Sequence, residues 1–88
     1  MQPEHIFPLS IVLNPAESSN PDLVTVSVFG THNQRVYGIS YHQINRIQVE
    51  FSIEKVDNTW IEKRSGQPSE RAFVIGREIE KHLKINNL

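Results

Sequence analysis

Cysteine is missing from all 88 residues, and that one absence removes disulfide staples, thiolate zinc sites and cysteine nucleophiles together. A reducing, intracellular setting suits such a chain. No stretch approaches the roughly 18 consecutive apolar residues that a membrane span needs, and MQPEHIFPLS at the start has no basic region leading into an apolar core. A cytoplasmic protein with no membrane association is therefore expected. An excess of one charge is also lacking: nine Lys and Arg stand against ten Asp and Glu, a net charge of -1. No whole-molecule field draws the chain onto nucleic acid. The four glycines, Gly30, Gly38, Gly66 and Gly76, never cluster, so no phosphate-cradling loop is present.

What is present is the composition of one small folded domain, residues 1–88, with 38% hydrophobic and 22% charged residues. A chain this short buries only about 60–65% of the surface that its unfolded form exposes, so its stability margin is thin.

In the run HIFPLSIVL, Phe7, Leu9, Ile11 and Leu13 fall on one side at the period of a strand. Pro8 cannot donate a ladder hydrogen bond, so this strand belongs at a sheet edge or begins after the proline. NPAESSNPD, residues 14–22, carries two Asn-Pro pairs and reads as a mobile loop. DLVTVSVFG places Val24, Val26 and Val28 on one face and Thr25, Ser27 and Phe29 on the other, which suits a central strand. GTHNQ has the length of a hairpin loop, so RVYGISY should run antiparallel beside the valine strand. A tight turn is expected over HQIN. IQVEFSI then resumes the alternation, with Ile47, Val49, Phe51 and Ile53 inward and Gln48, Glu50 and Ser52 outward.

Asp57-Asn58 suits a two-residue hairpin turn. That register pairs Val56 with Thr59 and Lys55 with Trp60, putting Trp60, Glu62 and Arg64 on the face of Phe51 and Ile53. An odd loop length would put Ile61 and Lys63 there instead; Trp60 inward is the favoured reading. SGQP breaks the strand, and from Ser69 the period turns helical. Ala72, Ile75, Ile79 and Leu83 form one stripe, with Gly76 beside it allowing close approach to a sheet. The helix, residues 69–86, opens at Pro68 or Ser69 and carries Glu70 at its positive end and Lys81 and Lys84 at its negative end. The fold class that follows is α+β: a mainly antiparallel meander of about five strands with one C-terminal amphipathic helix packed across it.

Catalytic chemistry finds little footing here. His5, His32, His42 and His82 are scattered singly, without the spacing that sets two imidazoles on one metal. No GxSxG elbow is present. Glu50 and Glu54 share the wet face of one strand at roughly 13 Å, beyond the ~5–9.5 Å of a glycosidase pair. The chain reads as a non-enzyme with no cofactor and no bound metal.

Two binding readings remain. Phe73, Val74 and Ile85 project off the helix stripe, Val74 and Ile85 nearly opposite it, and Phe29 projects opposite the valines. These four apolar groups need cover, either from the chain's own 14–22 loop or N-terminal strand, or from a partner. The favoured function is accordingly a small non-catalytic protein–protein interaction module, an accessory subunit, regulator or inhibitor-like protein that associates with itself as a homodimer. The alternative is single-stranded nucleic-acid binding through Tyr37, Tyr41, Lys63 and Arg64, where tyrosines would stack bases and cations would meet phosphates. Arg35, Tyr37, Gly38 and Tyr41 match the aromatic strand motif of RNA-recognition domains only in part, because Val36 stands where a glycine is needed. The basic helix residues Arg77, Lys81 and Lys84 are interleaved with Glu78 and Glu80, as on a solvated face.

From Arg35 onward, the order of strand, turn at HQIN, alternating strand, Trp-bearing hairpin and terminal amphipathic helix resembles the second half of PH-like domains. That resemblance implies a partial PH-like barrel as the alternative fold and a module binding lipids, peptides or proteins. The basic loop for phosphoinositides has no counterpart in this chain.

Overall fold

A computed structural model describes residues 2–13, 16, 20–31, 34–42 and 47–86. The elements run β1 (His5–Ile11), β2 (Asp22–Phe29), β3 (Val36–His42), β4 (Gln48–Val56), β5 (Thr59–Glu62), β6 (Gln67–Pro68) and α1 (Glu70–Ile85). The strands lie in one antiparallel sheet in their chain order, β1 to β6, and the sheet is not closed into a barrel. The meander with a helix across it is the expected architecture; the partial barrel implied by the PH-like resemblance is not formed. The strand beyond the expected five is β6, a two-residue pairing of Ile61 with Pro68 and Glu62 with Gln67.

Directly paired residues in an antiparallel ladder share a face, so the register sorts every side chain. Phe7 lies opposite Val26, Val26 opposite Ile39, Val28 opposite Tyr37, and Tyr37 opposite Ile53. These residues, with Ile11, Val24, Tyr41 and Trp60, form the covered face, closed by Ala72, Ile75 and Ile79 of α1. All thirteen residues of this core are hydrophobic, and none of the described polar or charged residues is fully buried. β1 keeps Pro8 within its run and occupies the sheet edge, where a missing N–H costs least.

The β4–β5 turn has the register of a two-residue loop, Val56 opposite Thr59 and Lys55 opposite Trp60. Asp57 and Asn58 both adopt positive φ, 50° and 66°, the backbone that matches the strand twist in such hairpins. Trp60 is accordingly inward. At the other end of β4 the expectation fails in part. Ile47 precedes the first ladder pair and is exposed, while Val49 and Phe51 are only half-buried. Inward position gives burial only where a helix lies overhead.

The helix begins at the Ser69 cap, whose hydroxyl accepts the Ala72 N–H at 3.1 Å. One flank, Val74, Glu78 and His82, is half-buried along a single i, i+4 ridge, and His82 stacks on Phe7 of β1 with ring centroids 3.9 Å apart. Val74 is therefore packed against the core rather than projecting away from it. The buried arc of α1 is wider than its apolar stripe because the edge strand meets this flank. On the other flank Gly76 lies against the Trp60 indole, and a Cβ there would come within 2.2 to 2.5 Å of three of its ring atoms. The turn expected over HQIN, the centre of the GTHNQ loop and most of the 14–22 loop lie outside the described residues.

Candidate functional site

The same register that fills the covered face defines the opposite, open one. One cross-strand row holds Phe29, Val36, Glu54, Ile61 and Pro68; a second holds Ile6, Ser27, Gly38 and Ser52; a third holds Pro8, Thr25, Ser40 and Glu50. No described helix lies over this face. Ile6 and Leu23 remain 64% and 66% exposed, and Phe29, Val36 and Ile61 are half-buried. Phe29 lies across Gly38, where an added Cβ would come within 3.2 Å of its ring, so the glycine lets the aromatic lie flat on the sheet. Over β1, β2 and β3 the open-face residues are apolar, hydroxyl-bearing or glycine, apart from His42 at the margin. The charges stand farther along, on β4 and just after β5, where Lys63 Nζ approaches Glu54 at 3.8 Å.

Four of the sequence candidates are scattered by the fold. Phe29 joins the open face; Phe73 and Ile85 stand on the outer side of α1, 52% and 81% exposed; Val74 packs inward. Arg77 lies over the Phe73 ring at 5.6 Å, which shields part of that surface. The nucleic-acid set is not brought together either. Tyr37 and Tyr41 are each only 8% exposed, buried beneath the helix. A base cannot stack on rings that the core already covers. Lys63 follows Glu62 onto the open face, across the sheet from both tyrosines, and Arg64 is in the exposed turn that follows.

Two further clusters occupy the helix side. At one end, Arg71 of α1 grips Glu62 of β5 with two hydrogen bonds, Nε to Oε2 at 2.8 Å and Nη2 to Oε1 at 2.6 Å, and lays its guanidinium over Phe51 at 3.8 Å. The Arg71 hydrogen bond is the main cause that takes the Glu62 carboxyl down to about 2, against an opposing push from partial burial. This fork fastens the first turn of the helix to the sheet.

The second cluster is a cleft of about 430 Å³ with Tyr37 and Trp60 in its floor and Arg35, Lys55, Asp57 and Glu80 around them. Glu80 Oε1 accepts from Lys55 Nζ at 2.5 Å and from the Trp60 indole N–H at 3.2 Å. Arg35 has no such partner: its Nε is buried and makes no hydrogen bond, and none of the ion pairs among the described residues includes it. Leaving a buried donor unmet costs about 1–3 kcal/mol, more on a charged group. Sequence reasoning placed Lys55 opposite Trp60 but read Arg35 only as part of an incomplete RNA-binding motif. The signal was available, since Arg35 is one same-face step beyond Tyr37 as Lys55 is beyond Ile53, and Tyr37 pairs with Ile53. Ile6 and Leu23 were equally readable, as the residues out of phase with Phe7 and Val24.

Among the described residues no group of three or more His, Asp or Glu is arranged to hold a metal ion, and no helix is long and apolar enough to cross a membrane. Comparison of the chain with protein-family models, with curated proteins and with solved structures yields no match.

Proposed function

We propose that this chain is a non-catalytic protein-binding module that pairs with a second copy of itself through the open face of its sheet. The observation that carries the reading is the uncharged surface spanning three adjacent strands, with Ile6, Leu23 and Phe29 on it. Interface centres are depleted in charge in the same way, and two sheets packed face to face interdigitate their side chains about 10 Å apart.

Size decides how strong the pairing is. Three strands spaced about 4.8 Å apart and about 23 Å long present roughly 330 Å² per copy, or roughly 660 Å² for a pair. Specific interfaces bury about 1,200–2,000 Å², so the uncharged patch falls below that range and the dimer is weak and concentration-dependent. Glu50, Glu54 and Lys63 then lie at its rim, where charge orients the two copies more than it binds them.

Sedimentation velocity across a concentration series tests the proposal. The wild type shifts from monomer to dimer, and Leu23→Lys or Ile6→Lys holds it monomeric without lowering its thermal stability. A wild type that stays monomeric at the highest attainable concentration refutes the pairing.

A further inference from the structure

We infer that the cleft beside Trp60 is a binding site for a small carboxylate, with the Arg35 guanidinium as its anchor. The register puts Arg35 and Lys55 side by side, since each is one same-face step beyond the Tyr37–Ile53 pair, and both line the cleft. Like charges directly across strands repel. Among the described residues only one of these two cations is answered, because Glu80 takes Lys55 and the Trp60 indole on a single oxygen. Arg35 keeps a buried Nε with no acceptor. A carboxylate placed against Arg35 satisfies that donor through the planar fork that guanidinium offers and relieves the repulsion from Lys55.

The other walls narrow the ligand class. Asp57 and Glu80 also line the cleft, and their charges oppose a doubly charged anion such as phosphate while tolerating a single negative charge. Asp57 has no ion-pair partner among the described residues, so it is free to accept from an N–H on the same ligand. A cleft of about 430 Å³ falls within the ordinary range for small-molecule sites. The ligand is thus a monocarboxylate with an adjacent hydrogen-bond donor, the chemistry of an N-acylated amino acid or of a peptide's C-terminal residue. This site is on the helix side of the sheet and does not depend on the open face or on pairing.

The chain's only tryptophan is in the cleft, which gives the test an internal probe. Full-length protein labelled with nitrogen-15 is titrated with N-acetylglycine, with sodium phosphate, and with sodium chloride at matched ionic strength. The Trp60 fluorescence and its indole N–H resonance are followed. N-acetylglycine is expected to move both saturably with half-saturation in the millimolar range, sodium chloride neither, and phosphate no more than sodium chloride. Arg35→Gln is expected to weaken the response about tenfold or more with its thermal unfolding unimpaired, since the side chain it removes has no partner to lose. Arg77→Gln, on the outer side of α1, leaves binding unchanged. A dipeptide with a free C-terminus, run beside its amidated form, tells a chain end from a free small molecule as the source of the carboxylate. An absent or non-saturating response in the wild type overturns the inference. So does an undiminished response in Arg35→Gln, or a phosphate response equal to that of N-acetylglycine.

Discussion

Replacing Gly76 by alanine sets two effects of opposite sign against each other at one position. Gly76 is inside α1, and alanine in a helix interior is favoured over glycine by about 1 kcal/mol. Propensity alone predicts a more stable protein. Packing predicts the reverse, because the added Cβ would overlap three atoms of the Trp60 indole, and Trp60 is only 5% exposed. The ring is held beside Tyr37 with ring centroids 5.5 Å apart and its N–H is tied to Glu80, so a retreat into the cleft it borders would give up both contacts. Overpacking a filled core costs about 1–3 kcal/mol for milder insertions, and a methyl directed into a ring belongs at the upper end. The net expectation is a loss of about 2 kcal/mol. For a domain of this size that lowers the midpoint of thermal unfolding by about 10 °C, read by far-ultraviolet circular dichroism and by Trp60 fluorescence. Trp60→Phe combined with Gly76→Ala should lose less than the two single changes added together, since the smaller ring accepts the methyl. A Gly76→Ala protein as stable as wild type, or more so, refutes the claim that the glycine is required by the indole.

The Glu62–Arg71 fork predicts a pH dependence of definite sign. Because the folded-state pKa of Glu62 is lowered from 4.5 to about 2, its contribution is complete above pH 4.5 and is lost as the pH falls toward 2. The full shift corresponds to about 3 kcal/mol, but Arg71 is 41% exposed and water screens the pair, so about 1–2 kcal/mol is expected. Denaturant unfolding of wild type and Glu62→Gln should therefore converge between pH 4.5 and 2, and a constant gap across that range refutes the assignment. At the β4–β5 turn, Asp57→Asn with Asn58→Gly suits the two left-handed positions better and should raise stability by about 0.5–1 kcal/mol, whereas Asn58→Val should lower it; equal melting temperatures contradict this. Removing the ring that stacks on β1, by His82→Ala, should cost about 1 kcal/mol and accelerate amide exchange in His5–Ile11 more than in Val36–His42. Uniform acceleration shows instead that the stack does not hold the edge strand locally.

Much of this fold was legible because its strands are joined in sequence order and each alternates. Once the two-residue turn at Asp57-Asn58 fixes Lys55 opposite Trp60, the period of two carries the assignment back through Ile53 to Tyr37, and so puts Tyr37 and Tyr41 in the core. β6 was not legible: two residues, one of them Pro68, carry no periodicity, and their pairing follows from the turn after Glu62, where the Gly66 N–H bonds back to the Glu62 carbonyl at 2.8 Å. The position of Val74 was misread for a related reason. Helical period gives the direction of a side chain from its own axis, while burial depends on how far the neighbouring layer reaches, and here β1 extends along the flank of α1. The open face was half legible, since Phe29 stood out as an aromatic and Ile6 and Leu23 passed for ordinary alternation. The place of Arg35 beside Lys55 was not read because a cation at a strand end looks solvated until its register neighbour is known.

The helix that closes the core follows all six strands of the sheet in sequence, and this orders the events of folding. A chain emerging from the ribosome can pair each strand with the one before it, since every ladder in the meander joins sequence neighbours. What it cannot do is cover Val24, Val26, Val28, Ile39 and Ile53 until Ala72, Ile75 and Ile79 have been made. Until then the sheet is wettable on both sides. The stack of His82 on Phe7 joins the first strand of the sheet to the last turn of the helix. A nascent or truncated chain ending before Glu70 is thus the form most in need of a chaperone, and its greasy side is the one the finished protein never presents.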